Sequence, residues 1–320
     1  MDVLNYETRV LKKEEYNEWN NLVASSPQGT IFSESEWLSI TSKQNKINCN
    51  IIGCFFENQL VGGCPLFYKK VAGLFNFISN TSGMMPYSGI IIDGILPNSV
   101  RKAEQKRSNI LLSMAKYFKQ LKCISLKIQN PPRLTDIRPF TWKGWKSAVR
   151  YTYMLDLPNI NYSRDVTRNI NKAVKNAISV EKSHDIDNYY ALFQKTFERQ
   201  ELNVPVSKIY LQKLFEHILK SDVGDMWVAK TPHEEWIAAE IFLHDNNYIH
   251  RWTAATDPDL RKNGGYHLLL DTVFKNYQNR CISSTVNLMA ANTPQLAEFI
   301  TGFNPYLVPY YSLTRPTIYS

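Results

Sequence analysis

HRWTAATDPDLRKNGGYHLLLDTVFKN, residues 250–276, reads as a single strand–loop–helix unit. His250 to Ala255 carries Trp252 and Thr253 and is bounded by turn residues, which predicts a strand. Asp257-Pro258 and Gly264-Gly265 punctuate Thr256 to Gly265 as a loop. Leu268, Leu269, Val273 and Phe274 then recur near helical spacing, so an amphipathic helix follows. A strand that runs through such a loop into a helix leaves the first helical N–H groups without internal partners, and an anion can sit there. The same residues equally make a glycine-rich turn that holds no ligand. Both readings stand.

Outward from this unit the chain alternates strands and helices. Met226–Ala229 and Trp236–Leu243 predict strands, and a polar turn, His244 to Asn247, joins the second to the strand at His250. After the helix come a strand at Ser283–Met289, a short helix containing Ala297–Ile300 and a terminal strand, Leu307–Leu313. Before it, Ile186–Arg199 and Lys208–Leu219 read as helices. Ser163 is an expected N-cap for a basic helix, Arg164–Ala177, with Arg168, Lys172 and Lys175 at helical spacing. Val149–Leu157 is a strand, and the poorly periodic Pro131–Lys146 reads as a crossover between halves.

The first half predicts two helical pieces within residues 14–40 and strands at Asn50–Phe56, Leu60–Tyr68 and Leu74–Ile78. A loop of small residues, Ser79–Ser88, contains Tyr87 and leads to a strand at Gly89–Ile92. A helix, Asn98–Gln120, and a strand, Cys123–Ile128, close this half. Alternation of this kind implies an α/β (α+β) protein. Its expected domains are residues 1–148 and 149–320.

Composition narrows the class. At 320 residues, 44% hydrophobic and 21% charged, the chain is an ordinary globular sequence with material for two cores. No apolar run reaches the roughly 18–20 residues that span a bilayer. Charges fill the N-terminal MDVLNYETRVLKKEEYNEW where a signal peptide would be apolar, so a cytoplasmic location is expected. Cys49, Cys54, Cys64, Cys123 and Cys281 lack metal-ligand spacing, which favours buried reduced thiols over disulfides or zinc. No metal site is expected. A net charge of +8 favours anionic partners: phosphates, nucleotides, tRNA or, by peripheral contact, an acidic membrane surface.

Arg261-x-x-Gly264-Gly265 resembles the R/Q-x-x-G-x-G/A loop with which GNAT acyltransferases cradle the CoA diphosphate. That resemblance implies cofactor contacts at Arg261, Asn263, Gly264, Gly265 and Tyr266, although Tyr266 stands where the pattern has a small residue. Other stretches are similar to motifs of the FemAB-like superfamily. They are WNNLVASSPQGTIFSESEWL (residues 19–38), YTYMLDLP with RDVTRNINKAVKN (within 151–176), FQKTFERQ (193–200) and NLMAANTPQLAEFITGFNPYLVPYYSL (287–313). The resemblance implies two GNAT-like domains, each a mixed, mostly antiparallel sheet flanked by helices. Gln200–Ser221 is too short for the long helical arm of some members.

In function it implies transfer of an acyl or aminoacyl group to an amine of a phosphorylated peptidoglycan or polysaccharide precursor. The co-substrate would be acyl-CoA or aminoacyl-tRNA, with no permanently bound cofactor. Two positions depart from the family's closing motif: its lysine is Ile300 here, and its acidic residue is Asn287. A catalytically silent double-GNAT protein that binds a nucleotide-sugar or RNA is the alternative.

Acyl transfer to an amine needs a held carbonyl, a proton acceptor and charge stabilisation at the oxyanion. Glu240, a carboxylate on a central strand, is the candidate base, or else the ion-pair partner of Arg251 on the neighbouring strand. Arg251 is accordingly a partner of Glu240 or a phosphate ligand. Exposure of Glu240 would favour catalysis, and burial against Arg251 the silent protein. Arg168, Lys172 and Arg199 are candidate ligands for acceptor phosphates, or a solvated face. Tyr87 and Trp252 line the acceptor cleft or pack in a core.

Overall fold

The computed structural model describes residues 5–71, 75–95, 97–198, 201–289 and 291–315, without the side chains of Val71, Phe75 and Arg261. The expected site residue Arg199 lies outside the described residues, as does the start, Leu74, of one expected strand. The chain divides into two compact units, one up to Arg150 with the residues from Pro309 onward, the other Tyr151–Val308.

The first unit runs β1 (Tyr6–Val10), α1 (Tyr16–Ser25), α2 (Ser35–Gln44), β2 (Asn48–Phe56), β3 (Gln59–Val71), β4 (Phe75–Ser79) and β5 (Ile91–Ile92). Then come α3 (Val100–Gln120), β6 (Ser125–Gln129), α4 (Arg138–Thr141) and the start of β7 (Lys146–Asp156). Glu57 and Asn58 turn β2 into β3 with φ of 49° and 65°, the left-handed backbone that a tight hairpin demands. Sheet order is β1-β2-β3-β4-β6, antiparallel except for β4–β6.

Ile52, Leu66, Ile110, Met114 and Phe118 centre the first core. The supposed crossover also belongs to it, because Leu134, Ile137, Phe140 and Trp145 are buried there. Phe140 and Trp145 pack edge to face at 5.0 Å, a contact that no helical or strand period announces.

The second unit continues with α5 (Arg164–Lys175), β8 (Ser179–Lys182), α6 (Ile186–Glu198), α7 (Lys208–Lys220), β9 (Gly224–Lys230), β10 (Trp236–His244) and β11 (Ile249–Thr256). It ends with α8 (Gly265–Arg280), β12 (Thr285–Asn287), α9 (Pro294–Thr301) and only the start, up to Val308, of β13 (Tyr306–Arg315). Its sheet order is β7-β12-β11-β10-β9-β8, antiparallel apart from β11–β12. Leu269, Leu270, Val273 and Phe274 of α8 meet Ile237 and Phe242 of β10 in the second core.

A division at 148/149 would give the terminal strand to the second half. Instead Ser312–Arg315 pair with Leu126–Gln129 of β6, whose other edge is taken by β4. The strand so covers an edge that would otherwise be open. Arg315 then donates to the carbonyls of Phe118, Leu121 and Cys123 at the end of α3, where a cation suits the helix dipole. Among the described residues no helix is long and apolar enough to cross a membrane. Nor, among them, does any group of three or more His, Cys, Asp or Glu gather as a metal site would need.

Candidate functional site

Ser163 accepts a hydrogen bond from the Val166 N–H at 3.3 Å and starts α5. From that start, Arg164, Arg168, Lys172 and Lys175 follow one helical face and line a cleft of about 660 Å³. Arg168 is largely exposed and pairs with Asp165 at 2.9 Å. Lys172 reaches across to the loop before α8 and donates from Nζ to the Lys262 carbonyl at 2.9 Å. The basic helix and the candidate anion loop are therefore neighbours, which their separation in sequence gave no means of seeing.

In that loop Arg261–Asn263 form one 3-10 turn, and Gly264 takes φ +79°. Both glycines have steric reasons to be glycine. A Cβ on Gly264 would lie 2.2 Å from the Asn169 carbonyl oxygen of α5, and one on Gly265 would meet Ile237 at 3.0 Å. The carbonyl oxygen of α5 thus stands against the turn of the loop.

Tyr266 fills the position where a small residue was expected. Its ring stacks on Phe299 at 5.4 Å, and its hydroxyl donates to Glu240 Oε2 at 2.9 Å. Arg251 closes the group: Nε donates to Glu240 Oε1 at 2.8 Å, and Nη2 to Oε2 at 3.3 Å and to the Tyr266 hydroxyl at 2.5 Å. Glu240 is 1% exposed and Arg251 8%. Of the two roles read from sequence, the geometry is that of the ion pair. Burial works against charge on Arg251, and the adjacent Glu240 carboxylate outweighs it, so the guanidinium stays charged. Burial is also the main reason that the Tyr266 phenol is raised, opposed by Arg251 and reinforced by Glu240, so it stays protonated.

The strand behind this group is irregular. Ile241 pairs with Thr253 and Phe242 with Arg251, so Trp252 is the extra residue of a bulge in β11. β12 pairs with β11 only at Ile249 and His250. Beyond that point α6 supplies partners: the Tyr189 hydroxyl donates to the Thr253 carbonyl at 2.9 Å, and the Thr196 Oγ1 accepts from the Thr256 N–H at 3.0 Å. Neither the bulge nor this substitution of side chains for a strand was legible in sequence. The strand-like HRWTAA gives no mark of one surplus residue.

Trp252 is buried, and Tyr87 is buried among aromatic rings of the first unit, 1% exposed and edge to face with Phe32 at 6.0 Å and Tyr310 at 5.9 Å. Tyr87 therefore packs a core and is not a cleft residue. Asn287 is buried and its Oδ1 accepts from the Thr152 hydroxyl at 2.6 Å and the Met289 N–H at 3.1 Å, acceptor work that a carboxylate would otherwise do. Ile300 is a fully buried member of the second core, where an apolar side chain is at home and a lysine ammonium would be costly. Of the remaining candidates, Asn263 sits in the 3-10 turn, partly exposed.

Residues 161–294 match the sequence profile of the family described as "Acetyltransferase (GNAT) domain". Comparison with curated proteins finds no match. Among solved structures, FemX superposes with a TM-score of 0.70 at 13% identity, covering 95% of this chain and 96% of that one. A tandem GNAT protein from the clavulanic acid biosynthesis pathway gives 0.55 at 12% identity, covering 98% and 99%. L-PGS from Bacillus licheniformis gives 0.55 at 13% identity, covering 90% and 93%.

Proposed function

We propose, from the tandem-GNAT fold of the FemAB-like superfamily that this chain carries, that it transfers an acyl or aminoacyl group to an amine of a phosphorylated cell-envelope precursor. The observation that carries this reading is the contact of Lys172 with Lys262, which joins the basic cleft of α5 to the N-terminal loop of α8. In this reading Arg168 and Lys172, with Arg199, hold the precursor's phosphates, and the reaction takes place in the cytoplasm. Trp252, at the bulge, backs the reacting groups.

Acyl transfer to an amine is chiefly a matter of placing a carbonyl against the nitrogen and removing one proton. Glu240 is sealed, so the proton would pass through the Tyr266 hydroxyl, already hydrogen-bonded to its Oε2. Arg251 positions that carboxylate. Of the two donors we favour aminoacyl-tRNA, because Tyr266 stands where the CoA loop pattern has a small residue and its hydroxyl is engaged by Glu240 and Arg251. Acyl-CoA would be held by Arg261, Asn263, Gly264, Gly265 and Tyr266.

A second reading, a catalytically silent protein that binds a nucleotide-sugar or RNA, is favoured by one observation, the burial of Glu240 against Arg251. Binding of acetyl-CoA and of charged and uncharged tRNA across a salt series separates these readings. We expect tRNA binding that prefers the charged form and weakens steeply with salt. Tight acetyl-CoA binding that is lost in Arg261→Ala would make the donor CoA instead. Binding of uncharged tRNA as tight as that of charged tRNA, without acetyl-CoA binding, would support the silent protein.

A further inference from the structure

Beside the basic cleft lies a second one, of about 440 Å³, between α5 and α8. Tyr162, Thr167 and Asn171 line both, so the two are continuous. The second differs in character. Leu157, Pro158, Ile160 and Ile170 supply an apolar wall, and its charged groups are Asp271 and Lys275.

Asp271 is 5% exposed. Its Oδ2 accepts from Lys275 Nζ at 2.8 Å, but the Lys275 side chain is 63% exposed, and surface pairs of that kind hold weakly. Its Oδ1 is buried and has no hydrogen-bond partner among the described residues. The hydroxyl of Tyr162 is buried and faces Asp271, yet it too makes no hydrogen bond of ordinary geometry. Burial first, then the charge of Asp271 and the hydroxyl's approach to that carboxylate, raise the Tyr162 phenol, so it stays neutral and able to donate or accept. A carboxylate oxygen accepts only, and a buried one left unmatched is costly. Most such groups in folded proteins are satisfied, and the exceptions ask for a reason.

We propose that this cleft binds a primary ammonium group on Asp271 Oδ1 and the Tyr162 hydroxyl, with the anionic remainder of the same ligand on the basic cleft of α5. An ammonium supplies several donors and the opposite charge, and the methylenes next to it suit the apolar wall. The ammonium half stands on Asp271 and Tyr162. The anionic half rests on the reading of α5 given above.

The test uses the full chain and matched probes: aminoalkyl phosphates with two to six methylenes, and alkyl phosphates of equal length without nitrogen. Calorimetric affinities are compared for wild type, Asp271→Asn and Tyr162→Phe. We expect the best aminoalkyl phosphate to bind at least about tenfold tighter than its nitrogen-free match, the scale of one charge-assisted hydrogen bond. Asp271→Asn should erase that preference and leave alkyl phosphate affinity within about twofold, and Tyr162→Phe should reduce the preference several-fold. Equal affinity of the two probe classes in wild type would overturn the ammonium site alone, as would a preference that survives Asp271→Asn. Failure of every phosphate probe to bind would overturn both halves, including the phosphate role of α5. Asp271→Asn is isosteric, and the melting curve of each variant confirms that it is folded.

Discussion

Glu240 and Arg251 hold each other in a core that would accept neither alone. Truncating one member of such a pair leaves an uncompensated buried charge, which typically costs about 3–5 kcal/mol, whereas replacing both with apolar residues is often near neutral. Glu240→Ala should therefore lower unfolding free energy by about that amount, and Glu240→Met with Arg251→Met by much less, as denaturant melts would measure. A similar loss in both variants would deny the pair its buried character. Gly264 makes a separate point. Its alanine variant combines a positive φ with a Cβ set 2.2 Å from the Asn169 oxygen, while Gly144, at φ +80°, has nothing within 4 Å. Gly144→Ala should cost about 1 kcal/mol for backbone strain alone, and Gly264→Ala clearly more. The glycine pair was legible in sequence as a turn. That each glycine answers to a different neighbour, α5 for one and β10 for the other, was not, because those neighbours are set by tertiary packing. The role of Tyr266 was hidden for the same reason.

Elements were legible wherever a period was present. Helices α3 and α7 follow their apolar stripes to within a residue or two of the sequence expectation, α8 begins where expected but runs past Asn276 to Arg280, and strands β2, β3 and β10 follow their apolar runs. β8 escaped because its four residues, Ser179–Lys182, are mostly exposed and polar and pair only as a sheet edge. The 131–146 segment escaped because its buried aromatics have no period. Local electrostatics at the start of α1 yields a pH prediction. Hydrogen bonds from Arg9, and then from the Lys12 N–H, hold the Glu15 carboxyl at about 2, below its ordinary 4.5. The unfolded chain therefore binds the extra proton between those values, so the contribution of Glu15 is complete above pH 4.5 and fades as pH falls toward 2. The stability difference between wild type and Glu15→Gln should shrink over that window, and a difference independent of pH would refute the assignment. Cysteines offer a further check. Burial raises the Cys49 thiol to about 12 and Cys54 to about 11, while, against the expectation of buried thiols, Cys49 and Cys123 are partly exposed and Cys281 is exposed. Timed alkylation at pH 8 should modify Cys281 first, because the thiolate is the reacting form.

At the scale of the molecule, each unit runs through helices, a strand meander, a helix and a further strand, an order that the expected elements of the two halves already carry. The return of the last strand to the first unit was invisible, since Leu307–Leu313 reads as a strand whichever sheet receives it. The whole-chain likeness to FemX supplies the fold, and the chemistry rests on α5 and the loop it touches. The most direct test is transfer itself. Purified chain is given labelled aminoacyl-tRNA or labelled acyl-CoA with phosphorylated precursors that bear a free amine, and the amide product is followed by mass. The account predicts amide formation, with Arg168→Ala and Lys172→Ala together raising the KM for the precursor about tenfold or more while kcat holds. No amide from either donor, by a folded protein that still binds the precursor, would contradict it.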